Sequence, residues 1–441
     1  MKLVKLGLLA LFIFSNIFVN EVRAQNENIA LTKQDKAVVV DSISNKLMSS
    51  YVFPETAKKM SDFIRNNIKK GDYNSINKPD EFANRLTEDL LSISHDKHIS
   101  VNYNPKRIIA QKTVEDSLNY LNQYINNLKR SNFGFKELKI LDGNIGYLDL
   151  RSFSDVKYAG KTAVSAMNFL SNSDAIIIDL RMNGGGSPEM IQLISSYLFD
   201  EPVHLNNFYW RPTNTNTQTW TLPHVQGTRS PNTPVYVLTS NYTFSAAEEF
   251  SYNLKHLKRA TLIGETSGGG AHPGGEVTAT DKFTIWLPSG RAINPITKTN
   301  WEGIGVVPHI EVESSRAMKV AHLKSLELLF NTSKDSIQKR NYKWKMDAIS
   351  IKLNPVVVPK SILKKYMGTY GPRVISIEEN TLYYQRDNGK KYKLIPINNT
   401  EFLLNGLTTF RIKFISEKGK TVALVGNYIN GQTDENLKSK K

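Results

Sequence analysis

The first part of the chain has the hydrophobic spacing of α-helices. Between residues 31 and 94, apolar side chains such as Ile43 and Leu47 recur every three or four positions among polar ones. Proline and glycine signals divide this stretch into short helices. The same spacing returns over residues 106–130. We therefore predict an N-terminal helical domain over residues 25–105, followed by one more amphipathic helix.

From about residue 136 the pattern changes to short apolar runs that alternate with helical segments. Runs of this kind are typical of parallel strands that are buried on both faces, and the alternation indicates an α/β core. We predict this core over residues 106–330. The strand-like runs are 146–150, 174–179, 235–238 and 260–263, and helical segments follow at 188–199 and 245–257.

Two regions depart from this alternation. Residues 201–232 place aromatic side chains on both sides of a Thr/Asn-rich tip, which predicts a hairpin or flap. It could line a peptide groove or pack on its own domain. After a predicted linker at 331–354, residues 355–441 show short alternating segments separated by turns such as Asn388-Gly389. They predict a small antiparallel β barrel or sandwich.

The first residues predict export. Lys2 and Lys5 precede an apolar stretch from residue 6 to 19, and Val22-Arg23-Ala24 offers a cleavage site. A membrane anchor is the alternative, but a span needs about 20 apolar residues. We expect residues 1–24 to be a signal peptide and the protein to be periplasmic or extracellular. Whether the signal is cleaved stays open.

The charge of the protein is concentrated at one end. The chain carries 57 basic and 41 acidic side chains, a formal charge of +16. Residues 331–441 hold 21 basic and 9 acidic side chains, and residues 1–24 add +2, so the rest is nearly neutral. This predicts contact of the C-terminal domain with an anionic envelope or polymer. A nucleic-acid binder would show salt-sensitive affinity in the same region, but an exported protein seldom meets nucleic acid, so we predict none.

The residue types present direct the search for chemistry towards serine. The chain has no cysteine, which excludes disulfides, Cys-ligated zinc, iron–sulfur clusters and thiol catalysis. The G-x-S-x-G, H-E-x-x-H and P-loop motifs are absent. We predict neither a cofactor nor a metal centre.

Ser245 follows a buried strand and falls at the start of a predicted helix. The N–H groups of a helix start are unpaired, so the N–H of Ala246 could receive an oxyanion while Ser245 attacks a carbonyl. Ser245 could instead be a simple helix cap. A serine nucleophile needs a base, and the candidates are His95, His98 and His272, each of which could also be a surface histidine. Zinc binding by the first two is a further alternative.

Four segments together resemble the tail-specific (C-terminal processing) serine peptidases, in the branch similar to interphotoreceptor retinoid-binding protein and the tricorn core. The resemblance implies a crotonase-like α/β core behind the helical domain. The lysine of the Ser–Lys branch is absent from 268–270, and the stretch after His98 is too short for a PDZ domain. Both departures favour a Ser/His/Glu design. The matching segments are 179–185 (DLRMNGG), 243–248 (TFSAAE), 264–274 (GETSGGGAHPG) and 301–308 (WEGIGVVP).

Carried over by position, Ser245 resembles the nucleophile, His98 the base and Glu302 the acidic member. Gly185 and Ala246 match the oxyanion donors. The resemblance implies an exported serine endopeptidase that acts on peptides or unfolded protein segments. The alternative is a catalytically weak or inactive binding protein for a hydrophobic ligand or peptide on the same fold.

Two positions depart from the family pattern. Lys97 stands where the tricorn-like site has a serine, which puts a direct link between Glu302 and His98 in question. His309 follows Pro308 where the family usually has aspartate. His95 is retained as the second candidate base.

Overall fold

The computed structural model describes residues 30–109 and 113–439. The predicted signal at 1–24 lies outside these ranges. Within them, no helix combines the length and the apolar character that crossing a membrane requires.

The N-terminal domain is helical, as predicted, and is built on three helices. Thr32 begins the first helix, where its hydroxyl accepts the N–H of Asp35 at 3.1 Å. Proline occupies the first position of the other two, where its missing N–H costs nothing. Gly71, with φ of 86°, ends the second helix. The helices are α1 (Lys33–Ser50), α2 (Pro54–Lys70) and α3 (Pro79–Ser94).

A short strand ties this domain to the rest of the chain. Ser100–Tyr103 pairs antiparallel with a strand that arrives much later, so Phe283, Ile285 and Leu287 complete the core of the helical domain. The amphipathic segment forms two helices, and the second keeps Leu118 and Leu121 exposed. These elements are β1 (Ser100–Tyr103), α4 (Pro105–Ile109) and α5 (Val114–Arg130).

The α/β core is a six-stranded sheet of order β12-β8-β7-β4-β3-β2, parallel except for β2 at one edge. Its elements in chain order are β2 (Phe135–Leu141), β3 (Ile145–Leu150), α6 (Val156–Leu170), β4 (Ala175–Asp179), α7 (Pro188–Ser196), β5 (His204–Trp210), β6 (Thr215–Trp220), β7 (Val235–Thr239), α8 (Ala246–His256), β8 (Ala260–Gly264), β9 (Gly274–Thr278), β10 (Phe283–Pro288), β11 (Gly290–Ile293) and β12 (Ile310–Glu311).

Both faces of this sheet are covered, which explains its continuous apolar strands. Along β4, Ile176 and Ile178 face the core shared with α6, α7 and α8, whereas Ile177 faces the opposite side. The loops that leave β4, β7 and β8 emerge at the same, carboxyl edge of the sheet. That edge is where parallel sheets place their sites.

Residues 201–232 contain a hairpin, as predicted. β5 pairs with β6 and with β11, and Leu205 and Phe208 of β5 are buried in the core of the α/β domain. Arg211, at the turn, donates to the backbone carbonyls of Met48 and Tyr51 at 2.6 and 2.5 Å. The hairpin therefore packs on its own domain and also holds the end of α1.

The segment predicted as a linker at 331–354 is mostly helical. Two helices, α9 (Ser314–Thr332) and α10 (Ser336–Leu353), pack together over the second face of the sheet. Buried Tyr342 and the partly buried Met346 and Ile349 attach α10 to this core. The polar residues between these positions make the helical spacing of the apolar ones hard to recognise in the sequence.

The C-terminal domain is an antiparallel β meander that nearly closes into a barrel. Its strands pair in sequence order, and a bridge between Tyr370 and Lys438 brings the two ends together. Tyr366 stacks on Phe414 in its core at 4.0 Å between ring centres. The elements are α11 (Lys360–Tyr366), β13 (Gly368–Tyr370), β14 (Arg373–Glu378), β15 (Thr381–Arg386), β16 (Tyr392–Pro396), β17 (Glu401–Leu404), β18 (Leu407–Glu417), β19 (Lys420–Tyr428) and β20 (Thr433–Leu437).

The junction between the helical domain and β10 should be a determinant of stability. Ile285→Ala removes a fully buried side chain from their shared core, and such truncations cost about 2–5 kcal/mol of unfolding free energy. Ile296→Ala is the control, because Ile296 is half exposed and should cost little. Urea unfolding followed by circular dichroism measures both. Equal stability of the two variants would contradict the shared core.

Candidate active site

Ser245 lies at the carboxyl edge of the sheet, between β7 and the first turn of α8. Its backbone has φ of 55° and ψ of −121°, whereas helix caps normally have extended backbone. A side chain rarely adopts positive φ, and strain of this kind concentrates at functional sites. Ser245 therefore differs from an ordinary cap in its backbone, while it also forms a capping box with Glu248. Its side chain is partly exposed and can be approached from solvent.

The Glu248 side chain holds the backbone around Ser245 in place. This fully buried carboxylate accepts the N–H of Ser245 at 2.9 Å and the hydroxyl of Ser267 at 2.5 Å. It also accepts the N–H groups of Gly269 and Gly270 at 2.6 and 2.8 Å. Burial raises the pKa of Glu248, and the four hydrogen bonds oppose that rise. One carboxylate thus joins the start of α8 to the glycine loop after β8.

Gly185 lies directly against the nucleophile candidate. A Cβ placed on Gly185 would lie 2.8 Å from the Cβ of Ser245 and 3.1 Å from the backbone nitrogen of Ala246. With φ of 110°, the position also favours glycine. The Gly185 N–H, however, donates to the side-chain oxygen of Asn183 at 2.8 Å. Ala246 begins α8, so its N–H is one that a helix leaves without an intrahelical acceptor.

His98 is brought to the same place by the loop after α3. Its ring lies 4.6 Å from the ring of Phe244, the residue before Ser245, and its Cε1 faces Gly270. The side chain is 9% exposed, and neither ring nitrogen has a hydrogen-bond partner within the described residues. Burial lowers the pKa of His98. His98 therefore contacts the residue before Ser245 and makes no hydrogen bond to Ser245, and catalytic hydrogen bonds are often absent before substrate binds.

Glu302 lies beside His272. Its Oε2 accepts the N–H of Ala271 at 2.5 Å and lies 3.5 Å from Nδ1 of His272. The same Nδ1 lies 2.8 Å from Oδ2 of Asp96, a side chain that is 1% exposed. Burial raises the pKa of Glu302 to about 7. Asp96 had no predicted role, although it lies only two positions before the candidate base His98.

Lys97 and His309, the two residues that depart from the family pattern, each form a hydrogen bond to the backbone. The Lys97 ammonium donates to the carbonyl of Gly268 at 2.5 Å, on the loop that Glu248 also holds. His309 accepts the N–H of Leu262 through Nδ1 at 2.9 Å, at the edge of the sheet. His95 ends α3 with φ of 55° and is exposed.

One group of described side chains has potential metal-ligand atoms close together. Asp96, His272 and Glu302 each offer one such atom, and these lie within 4.8 Å of one another. The close contacts among these groups, and the bond from Ala271 to Glu302, already partner the three atoms. The other oxygen of Glu302, Oε1, is buried without a hydrogen-bond partner among the described residues.

Comparisons with known proteins match the two domains that form this site. Residues 144–312 match the model of peptidase family S41. Residues 20–133 match the N-terminal domain of peptidase S41 in eukaryotic interphotoreceptor retinoid-binding protein. The chain belongs to peptidase family S41. By family it is a serine-type peptidase, with the mixed α/β architecture that the sequence predicted.

Solved structures show partial likeness to this S41 chain. The photosystem II D1 C-terminal processing protease is 22% identical, with a TM-score of 0.33, and the match covers 38% of this chain and 42% of that one. A peptidase from Parabacteroides merdae is 18% identical, with a TM-score of 0.43, over 63% and 90% of the two chains. The tricorn protease is 13% identical, with a TM-score of 0.43, over 67% and 37%.

The close approach of Gly185 to Ser245 predicts a sharp sensitivity to a single methyl group. Gly185→Ala should lower kcat/KM by about 100-fold or more, because the added Cβ displaces the backbone that borders the nucleophile. Gly275→Ala is the control, because a Cβ there meets nothing within 4 Å. Hydrolysis of a peptide library measures both. Similar activity of the two variants would show that Gly185 does not border the nucleophile.

Proposed function

We propose that this S41 chain is an exported serine endopeptidase that hydrolyses peptides or unfolded protein segments by a Ser/His/Glu mechanism. The observation that carries the proposal is the strained position of Ser245 at the head of α8, with Gly185 on one side and the ring pair of Phe244 and His98 on the other. The proposal requires the His98 ring, which contacts the residue before Ser245, to reach the Ser245 hydroxyl when substrate binds.

The reaction follows from these positions. The Ser245 oxygen bonds to the substrate carbonyl carbon as its proton passes to His98, and the carbonyl electron pair moves onto oxygen. The N–H of Ala246 stabilises that oxyanion, and the Gly185 N–H joins it if it leaves Asn183. Collapse of the intermediate breaks the C–N bond, and His98 returns the proton to the leaving amine. Water then releases the acyl group by the same steps. In this proposal Glu302 supplies negative charge to the imidazolium side of the site.

The surface beside Ser245 suits an apolar segment of a peptide. Met182 and Tyr242 are both more than half exposed, and they flank the glycine loop and the nucleophile candidate. The Tyr242 hydroxyl lies 3.8 Å from a Cβ placed on Gly184. An unfolded segment could lay its backbone along the glycines and its side chains on these two residues.

Replacing the nucleophile separates the peptidase from an inactive binding protein. Ser245→Ala should abolish peptide hydrolysis and labelling by a fluorophosphonate, because no other group can form the acyl bond. Ser165→Ala, on the exposed face of α6, should retain both. Mass spectrometry locates the label, and a casein digest measures turnover. A folded wild-type protein that takes no label would favour the binding function instead.

We also propose that the basic C-terminal domain adsorbs to an anionic envelope or polymer, because most of the net charge lies in residues 331–441. This function needs the charge and not the peptidase site. Several of its lysines lie exposed at turns and strands of the meander, namely Lys390, Lys393, Lys418 and Lys420.

Changing those four lysines to glutamine should lower the salt concentration that elutes the full-length protein from heparin, because fewer counterions are released on binding. Peptidase activity should be unchanged. The matched control changes four exposed lysines of the helical domain, namely Lys33, Lys59, Lys69 and Lys70. Equal elution shifts for the two variants would show that adsorption depends on the overall charge of the protein and not on its C-terminal domain.

A further inference from the structure

The carboxylate nearest to His98 is Asp96 and not Glu302. Oδ1 of Asp96 lies 3.8 Å from Nδ1 of His98 and accepts the backbone N–H of the same residue at 3.0 Å. The Asp96 side chain is 1% exposed. A buried negative charge at this distance interacts with an imidazolium far more strongly than it would in water.

The second oxygen of Asp96 is held by other groups. Oδ2 faces Nδ1 of His272 at 2.8 Å and accepts the hydroxyl of Tyr51, from the end of α1, at 3.3 Å. His272 in turn lies 3.5 Å from Glu302, and its ring packs edge-on against Phe53. We call Asp96, His272, Glu302 and Tyr51 the Asp96 cluster.

We propose that Asp96 is the positioning residue that orients His98 and stabilises its protonated form, and that Glu302 acts on His98 only through His272 and Asp96. The proposal rests on the proposed peptidase function and deepens it. Asp96 faces the Nδ1 side of the ring at 3.8 Å, which leaves Nε2 to accept the proton of Ser245 and to return it to the leaving amine. No atom of Asp96 bonds to substrate in these steps.

Several other charged groups face this pair and bear on its pH dependence. Burial lowers the pKa of His98, and the Asp96 charge opposes that effect. Lys97 lies on the same loop, and Glu248 faces the far side of Gly270. Tyr51, His272 and Glu302 complete the surroundings. Among these groups, Asp96 is the one whose charge directly favours protonation of His98.

The first test is Asp96→Asn in the full-length protein. The plateau of kcat/KM should fall by about 100-fold or more, as expected when a histidine loses its orienting carboxylate. The acid limb of the pH profile should move to lower pH, because loss of the negative charge lowers the pKa of His98. Asp89→Asn is the matched control, since Asp89 is a buried carboxylate that bonds Tyr73 and Asn67 in the helical domain. It should leave the profile of the remaining active protein unmoved.

The second test asks how Glu302 acts. Glu302→Gln should reduce kcat/KM in the wild-type background but have no further effect in an Asp96→Asn or a His272→Asn background, because the connection is already broken. His272→Asn keeps an amide donor near the position of Nδ1, so this cycle remains measurable if Asp96→Asn does not fold. The same loss from Glu302→Gln in every background would overturn the proposal.

The two proposals fail in different ways. Failure of wild-type protein to take a fluorophosphonate label at Ser245 would reject the peptidase function. Normal labelling together with an unmoved acid limb in Asp96→Asn would reject only the role of Asp96. Wild-type activity that disappears with a chelator and returns with Zn²⁺ would also overturn the role of Asp96, because the cluster would then hold a metal.

Discussion

The geometry of the site depends on one buried carboxylate. Glu248 sits in the first turn of α8, where the helix leaves N–H groups free, and it gathers donors from two separate chain segments. Because a buried charge is costly unless it is hydrogen-bonded, the glycine loop after β8 must stay close to the start of α8. Lys97 adds a bond to the same loop from the helical domain. Through these contacts Glu248 holds the backbone of Ser245 and that of Gly270, the glycine that His98 faces.

The residues of the candidate site come from two domains that fold around a shared core. His98 and Asp96 follow α3, whereas Ser245, His272 and Glu302 follow strands of the α/β sheet or its inserted loops. β1 joins β10 across the domain boundary, and Arg211 of the hairpin donates to the end of α1. These contacts determine the distance between His98 and Ser245. The packing of the N-terminal domain is therefore part of the active site and not only a support for it.

The acidic side of the site is more extended than a triad. Glu302, with a pKa raised to about 7 by burial, lies beyond His272 and Asp96 as seen from His98. The Lys97 ammonium, next to His98 in the chain, donates to the carbonyl of Gly268. Asp96, two residues before His98, lies beside the His98 ring because its Oδ1 accepts the backbone N–H of His98.

The sequence by itself determined the local structure and the family. The spacing of apolar residues gave the three N-terminal helices, the buried strands and the β meander, because periodicity directly reflects which faces are covered. Three of the four matching motifs contain the candidates Gly185, Ser245 and Glu302, and His98 was carried over by position as the base. The structure alone decided which of these meet. Helix α10 appeared where a linker was predicted, since only its contacts with α9 reveal its buried face. Asp96 gained its importance from His272, 176 residues away in the chain, and Glu248 from the loop that contains Ser267 and Gly270, 19 and 22 residues away. Hydrogen bonds across such separations depend on how the domains pack, and no local pattern in the sequence records them.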